Sequence, residues 1–570
     1  MFVNWLSKLL LNTTIYPFIL QWWVNIFIIG AVLGWGFIIF KQSFGFNKKI
    51  QKTTWFILSV FMFLFLIVNF SFNSFAAVDQ EWVSIYRAQT MLSGNQRVYA
   101  EENSGIVFPL LVAGLLKLSN SFVPLIRIVN IFLGTISLFL IFECAHLIFD
   151  NEKASLFSVF IYILTPWTYR YTGILFGLPT LVHFLSLLSL LAILLAFKYH
   201  KLYLHILSLA SLLILNQTKL EYFLYYFIYL AIFFVVKEYK KLTKKEIIIF
   251  TIMIIICFIP AIFKSAQFKF LFLANPDWCG VSAQTIDAHY SYGNIVNKID
   301  DILQKLINKR VALSYFFGDL PIFVKFWGQK TLILPITTAI IGIYLALKEY
   351  PQKKLFLSFP VLFFLSLAIG YLFDCGWYEA RHAISAYGFI AIFSGYCFWW
   401  FLSQNKLFKV EEIFIHFMLI FLISAQLIIC SQVFENYRNG IRTFVFKYQS
   451  YYLYKDLMRN ISNQSAIFLS VDDNSAHILK LLGYKSKSWN DYINNNSATI
   501  NPQKVVDHFF TSELTNFKNK VYFIKSPACD EWDFYKIFCD KAESEAKEMV
   551  GEIYIKTEDS KIKLFVLKND

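Results

Sequence analysis

The chain has 570 residues, of which 57% are hydrophobic, 19% aromatic and only 16% charged, and its net charge is +14. A soluble domain carries about 25% charged residues, so the composition excludes a soluble multidomain protein and predicts a polytopic helical membrane protein. The positive charge is not a nucleic-acid footprint, because the basic residues gather in short loops between apolar runs, as they do on the cytoplasmic side of membrane proteins.

The first apolar run, Tyr16 to Phe40, is too long for the h-region of a signal peptide and has no small-residue cleavage site, so it reads as a first span. Lys41, Lys48, Lys49 and Lys52 follow and mark a cytoplasmic loop. Thr54 to Phe72 is long enough to cross back. The polar loop 73–121 is then exoplasmic, and Asp79 and Glu81 stand where a span emerges into water. Within it Trp82, Ile85, Tyr86, Gln89 and Leu92 recur at helical spacing before Gly94, which predicts an amphipathic helix on the membrane surface. Ile106 to Leu118 is short for a span and reads as a second interfacial helix.

Phe122 to Phe149 returns to a cytoplasmic turn at Asp150, Glu152 and Lys153. Ala154 to Trp167 leads out to TPWTYRYTG, and Leu178 to Phe197 leads in to Lys198 and Lys201. Leu202 to Asn216 ends at the outer turn QTKLEY, and Tyr222 to Val236 returns to KEYKKLTKKE, the most basic loop. Ile247 to Phe263 opens a long exoplasmic loop, 264–330. Thr331 to Leu347, Leu355 to Phe373, Ala383 to Leu402 and Ile413 to Val433 complete about twelve spans, or eleven if the first lies in the interface; the basic loops all fall on one side.

Near Tyr437 the composition changes, giving a membrane module over 1–436 and a soluble exoplasmic α/β domain over 437–570. AIFLSV and KVYFIK read as strands, DNSAHILKLLGY as a helix closed by Gly483, and WDFYKIFCDKAESEAKEM as a second helix. EIYIK and KIKLFVL, joined by TEDS, read as a terminal hairpin. The eight cysteines have no metal-ligand spacing. Cys144, Cys257, Cys397 and Cys430 lie in apolar runs as small hydrophobes, whereas Cys529 and Cys539 suit a disulfide if the tail is exported. No Gly-rich phosphate loop and no HExxH motif is present in the tail.

The inferred outer loops gather Asp79, Glu81, Arg87, Arg97, Glu101, Glu102, Arg170, Lys219, Glu221, His289, Asp374, Glu379, Arg381 and His382. A charge at membrane depth costs about 2.5–3.5 kcal/mol on insertion scales, so residues bordering apolar runs tend to line a polar cavity or to pair. Arginine grips phosphate bidentately and a carboxylate deprotonates an incoming hydroxyl or amine; displacement of a phosphate-linked sugar needs both. Each residue also has a plainer reading. Asp79 serves equally as a hydrated loop acid, Arg170 and Arg381 as snorkelling anchors, Lys219 and Glu221 as an ion pair, and Glu101 and Glu102 as loop solvation.

Taken in order, these motifs resemble the GT-C glycosyltransferases. The acids Asp79 and Glu81 precede a helix with Ala88, Met91 and Gly94; VFPLL around Pro109 returns to the membrane; PWTYRY carries Arg170; and YEARHA carries Glu379, Arg381 and His382. The closest branch is that of protein O-mannosyltransferases and aminoarabinose transferases. The resemblance implies an all-α polytopic membrane protein with a small C-terminal α/β domain, transferring a sugar from a polyprenyl-phosphate donor to a glycan, lipid or protein acceptor on the exoplasmic face of a bacterial plasma membrane. It implies Asp79 as the catalytic base with Glu81 second, and Arg87, Arg170, Lys219, Glu221, Glu379, Arg381 and His382 around the phosphate. In the family the acidic pair is adjacent, whereas Gln80 separates it here. A divalent metal ion stays an open cofactor, since relatives differ and His289 and His382 form no i, i+4 pair. Two other readings compete. An O-antigen-type polymerase or ligase would use His289 and Arg310 of loop 264–330, and a lipid-linked precursor transporter would show internal repeats, which the sequence lacks.

Overall fold

The computed structural model describes residues 26, 28–36, 51–71, 79–92, 106–118, 122–169, 172–173, 178–219, 222–268, 333–350, 353–373, 384–404, 454–455, 458, 466–489, 502–514, 517, 519–526, 529, 533–545 and 563–568. The chain divides into two compact units. One comprises Met1–Phe70, Arg87–Thr172 and Gly177–Val433; the other comprises Ser71–Tyr86, Gly173–Phe176 and Phe434–Asp570.

The first unit is helical throughout its described residues. In chain order its helices are α1 (Lys52–Ser71), the end of α2 (Asp79–Leu92), α3 (Val107–Leu118), α4 (Phe122–Phe149), α5 (Glu152–Ile163), α6 (Pro166–Tyr169), α7 (Leu178–Tyr199), α8 (Leu202–Thr218), α9 (Phe223–Val235), α10 (Lys244–Phe268), α11 (Ile333–Glu349), α12 (Lys354–Phe373) and α13 (Ile384–Ser403). Among the described residues four helices are long and apolar enough to cross a membrane: Lys52–Phe70, Leu125–Phe149, Leu178–Tyr199 and Ser385–Ser403. The expected spans at Tyr16 to Phe40 and Ile413 to Val433 lie largely or wholly outside the described residues. Large apolar side chains on the bundle's outside stay uncovered, such as Phe56, Ile255 and Ile340. In water that exposure would be costly; in hydrocarbon it is the expected outer surface.

Helix packing inside the bundle depends on small residues. A Cβ at Gly395 of α13 would sit 2.2 Å from the backbone nitrogen of Ser158 in α5, and one at Gly342 of α11 would sit 2.1 Å from the carbonyl oxygen of Phe393 in α13. Lipid tails are as apolar as leucine, so membrane helices gain by close backbone approach rather than by leaving the solvent. α7 is buried along nearly its whole length, in keeping with a helix that is apolar on every side.

The basic-loop end is tied by polar contacts. Glu152, opening α5, accepts from the Gln51 backbone N–H at 3.2 Å and the Thr54 hydroxyl at 2.6 Å. The fully buried Glu238 carboxylate meets His200 Nδ1 at 2.5 Å and Lys241 Nζ at 3.0 Å, and His205 Nδ1 meets the Tyr229 hydroxyl at 2.8 Å. Asp150, His200 and Lys237 adopt left-handed φ near +55° at the helix junctions, a conformation that turns the chain within one residue.

The second unit carries a four-stranded sheet in the order β2-β1-β3-β4: β1 (Ile467–Ser470), β2 (Lys485–Ser488), β3 (Val521–Lys525) and β4 (Lys563–Lys568). β1 pairs parallel with β2 and with β3, and β4 runs antiparallel to β3. The helix α14 (Asp473–Leu481) crosses between β1 and β2. Its N-terminus is capped by the Asp472 carboxylate, which accepts from Ser475 N and Oγ, each at 2.8 Å. It ends at Gly483, φ +89°, where Gly483 N–H reaches the Lys480 carbonyl and Tyr484 N–H the Leu479 carbonyl, a Schellman closure. α15 (Pro502–His508) and α16 (Asp533–Glu545) complete the described layers. One arm of the expected terminal hairpin is β4, which pairs with β3; the other arm, EIYIK, lies outside the described residues. Cys529 and Cys539 are bonded, with Cα atoms 5.9 Å apart.

Candidate functional site

α2 begins at Asp79, three residues before Trp82 opens the apolar spacing, so both acids fall in the first turn of a helix rather than in a loop. The first turn of a helix is where its dipole and unpaired N–H groups favour negative charge. Positions 79 and 81 stand about 200° apart round the axis, so one of them alone can face a given point. Further along, Ile85 and Ala88 are buried, Arg87 is half-buried and Leu92 is 48% exposed. Of the expected face, Ile85 is buried and Leu92 exposed, and the side chains of Trp82 and Tyr86 lie outside the described ones. The unit boundary falls between Tyr86 and Arg87.

Of the other site residues, Lys219 is the one whose side chain is both described and buried, at 9% exposure. It ends α8 in extended conformation: its N–H reaches the Leu215 carbonyl at 3.0 Å, and its own carbonyl accepts from Tyr222 N–H at 3.3 Å. The Tyr222 hydroxyl in turn meets Ser385 Oγ at 2.6 Å, with both side chains fully buried. Tyr222 follows Glu221 directly, and Ser385 comes three residues after His382. The bond thus joins the chain just beyond the Lys219–Glu221 turn to the chain just beyond YEARH. Glu221, Glu379, Arg381 and His382 lie outside the described residues.

Arg170 also lies outside them, but its neighbours are fixed. The Tyr169 ring packs on Phe65 of α1 with centroids 5.0 Å apart. The Thr172 carbonyl accepts from Asn130 Nδ2 at 2.8 Å, and Gly134 leaves room for the Thr172 side chain, since a Cβ there would approach it to 2.3 Å. One turn before Asn130, Arg127 directs Nη2 at the carbonyls of Asn69 and Phe70, at 3.5 and 3.4 Å, in the last turn of α1. A guanidinium at a helix C-terminus complements the unpaired carbonyls there. Arg127 and Asn130 were not singled out from the sequence, although polar residues inside the run Phe122 to Phe149 are the signal that finds them. Among the described residues, no group of three His, Cys, Asp or Glu side chains is arranged to hold a metal ion.

Comparison with solved structures matches the chain over nearly its full length. ArnT from Cupriavidus metallidurans in the apo state superposes with a TM-score of 0.53 at 10% identity, covering 90% of this chain and 98% of ArnT. The same protein bound to undecaprenyl phosphate gives 0.53 at 11% identity, covering 91% and 99%. The chain has the GT-C fold. It is an integral membrane protein of that architecture, with a C-terminal α/β domain. No family model matches the sequence, and no curated protein matches it.

Proposed function

We propose that this protein is a membrane glycosyltransferase that moves a sugar from a polyprenyl-phosphate donor to an acceptor at the exoplasmic surface. The observation that carries the reading is the likeness, over nine-tenths of the chain, to a protein crystallised with undecaprenyl phosphate. A helix that opens on two carboxylates, next in the chain after the span α1, supports it.

In the proposed reaction Asp79 accepts the proton of an acceptor hydroxyl or amine, with Glu81 as the second choice. The freed electron pair attacks the anomeric carbon. The bond from that carbon to the phosphate oxygen breaks, and the polyprenyl phosphate leaves with the bonding pair, inverting the anomeric centre. Lys219, Arg170, Arg381 and His382 neutralise the leaving phosphate, and Arg87, Glu221 and Glu379 line its surroundings. The acceptor is a glycan, lipid or protein of the cell envelope.

The test measures consumption of polyprenyl-phosphate sugars by the protein in nanodiscs with an envelope extract as acceptor source. Asp79→Asn, Glu81→Gln and the double variant are compared with the parent. Loss of a general base lowers turnover by about 10²–10⁴-fold, so one single variant and the double fall by that much. Full turnover in all three, or no donor consumption by the parent across a donor panel, would sink the reading.

A further inference from the structure

We infer that the basic end of α9 and α10 is a binding surface for an anionic phospholipid. Its phosphate sits among Lys237, Lys240, Lys244 and Lys245, and its acyl chains lie along the exposed apolar stripe of α10. This surface is independent of the proposed transferase site, and its test can fail without touching that reading.

The stripe follows from helical spacing. Ile248, Ile252 and Ile255 are exposed and recur at i, i+4 and i+7, so they share one face of α10. Lys244 stands one turn before Ile248 and carries that face to the start of the helix. From Lys244 to Ile255 an α-helix rises about 17 Å, close to half of a hydrocarbon core about 30 Å thick. One face thus offers the length of a single leaflet, with an ammonium group at its polar end. α9 runs beside α10, since the Phe233 and Phe250 rings lie with centroids 4.6 Å apart. It ends in its own exposed apolar pair, Phe234 and Val235, just before Lys237.

The stretch from Lys237 to Glu246 has two carboxylates, and both are taken by local partners. Glu238 is wholly buried and meets His200 Nδ1 at 2.5 Å and Lys241 Nζ at 3.0 Å. Lys241 Nζ also lies 3.2 Å from the His200 ring nitrogens, which holds the α7–α8 turn, with the exposed Lys201, beside the α9–α10 turn. Glu246 is turned onto the N–H and hydroxyl of Thr243. Lys237, Lys240, Lys244 and Lys245 are exposed, and among the described residues none of them has a carboxylate in ion-pair reach. Like charges gathered this way repel one another until an anion joins them. A phosphodiester supplies that anion, and a headgroup without an ammonium of its own leaves its charge free for the lysines. Basic clusters beside a span attract anionic lipid for this reason.

The experiment places the full chain in phosphatidylcholine nanodiscs with a trace of photoactivatable phosphatidylglycerol or, in parallel, photoactivatable phosphatidylcholine, and maps the cross-links by mass spectrometry. The anionic probe labels residues 234–255 at least about fivefold more than the zwitterionic one. Lys240→Gln, Lys244→Gln and Lys245→Gln each lower that preference by up to about fivefold. The triple variant removes it, as does salt at about 1 M, where screening acts within about 3 Å. Lys117→Gln, an exposed lysine of α3, leaves it unchanged. Equal labelling by the two probes, an equal preference on other helices, or a preference that survives the triple variant overturns the inference. So does its loss to inorganic phosphate but not to chloride at matched ionic strength, which would make the occupant a soluble phosphoanion. Should the triple variant fail to fold, the salt series and the phosphate competition on the parent decide the matter alone.

Discussion

Single charges in this protein are held by neighbours close in sequence as well as across the fold, and Glu246 shows how little is required. At the start of α10, the Thr243 N–H and Oγ1 both donate to Glu246 Oε2 at 2.8 Å, while Glu246 N–H returns to Thr243 Oγ1 at 3.3 Å. This reciprocal capping box satisfies donors that the helix leaves open. The Thr243 N–H bond is the main reason the Glu246 carboxyl is held below its usual range, with the Thr243 hydroxyl adding to it. A carboxyl with a depressed folded pKa stabilises the fold above its unfolded pKa, and that contribution disappears as pH falls through the folded value. Glu246→Gln should therefore melt below the parent at pH 7, and the gap should narrow at a pH below the ordinary glutamate pKa near 4.3. Thermal unfolding in detergent at the two pH values checks this; a constant gap would mean that the carboxylate charge has no part in the cap.

Elements meet in the first unit through glycine, and α13 is the helix on which that matters most. It packs against α4, α5, α7, α11 and α12. A methyl at Gly395 would collide with the Ser158 backbone, where Ser158 Oγ also donates to the Ile392 carbonyl at 3.1 Å. Backbone cannot give way as a flexible side-chain tip can, so α13 must move off α5. Gly395→Ala should cost more than the ordinary 1–3 kcal/mol of overpacking, about 3 kcal/mol or more. The fall appears as lower yield and lower melting temperature, whereas Gly36→Ala, with open space around its Cβ, leaves both unchanged. The same contrast explains what the sequence made legible. Apolar run lengths located Phe122–Phe149 and Leu178–Tyr199 nearly to the residue, because hydropathy is a local property. β2 was not foreseen, since KSKS has no apolar residue; its alternate serines are buried and its lysines exposed. α2 started early because polar first-turn residues leave no mark in an apolar period. The Tyr222–Ser385 bond was out of reach for a different reason: hydroxyls far apart in the chain carry no signal of pairing. Of the candidate site, the sequence could nominate charges by their loop, and it could not say which segments the fold would brace together.

At the scale of the whole molecule, the question is which compartment each unit faces, and the second unit carries its own chemical evidence. A bond between Cys529 and Cys539 persists where the surroundings are oxidising, not in a reducing cytoplasm. The positive-inside rule predicts the basic turns at Lys198–Lys201 and Lys237–Lys245 on the cytoplasmic side. Together they predict a chain with its basic loops inside and residues 434–570 outside. Thiol labelling of intact cells should modify a cysteine placed at the exposed Gln503 and spare one placed at Lys245, where labelling requires permeabilised membranes. Equal protection of both positions would overturn the orientation. The disulfide adds a second readout. Closing a loop ten residues apart in sequence restricts the unfolded chain by about 2.7 kcal/mol on the chain-entropy relation. Cys529→Ser, or reduction of the parent, should weaken the second unit by about that amount. The four apolar spans of the first unit contain no part of that loop, so their unfolding should be unaffected by reductant. Two transitions, with the lower one alone sensitive to dithiothreitol, are the expected calorimetric result; a single transition that moves as a whole would mean that the units unfold together.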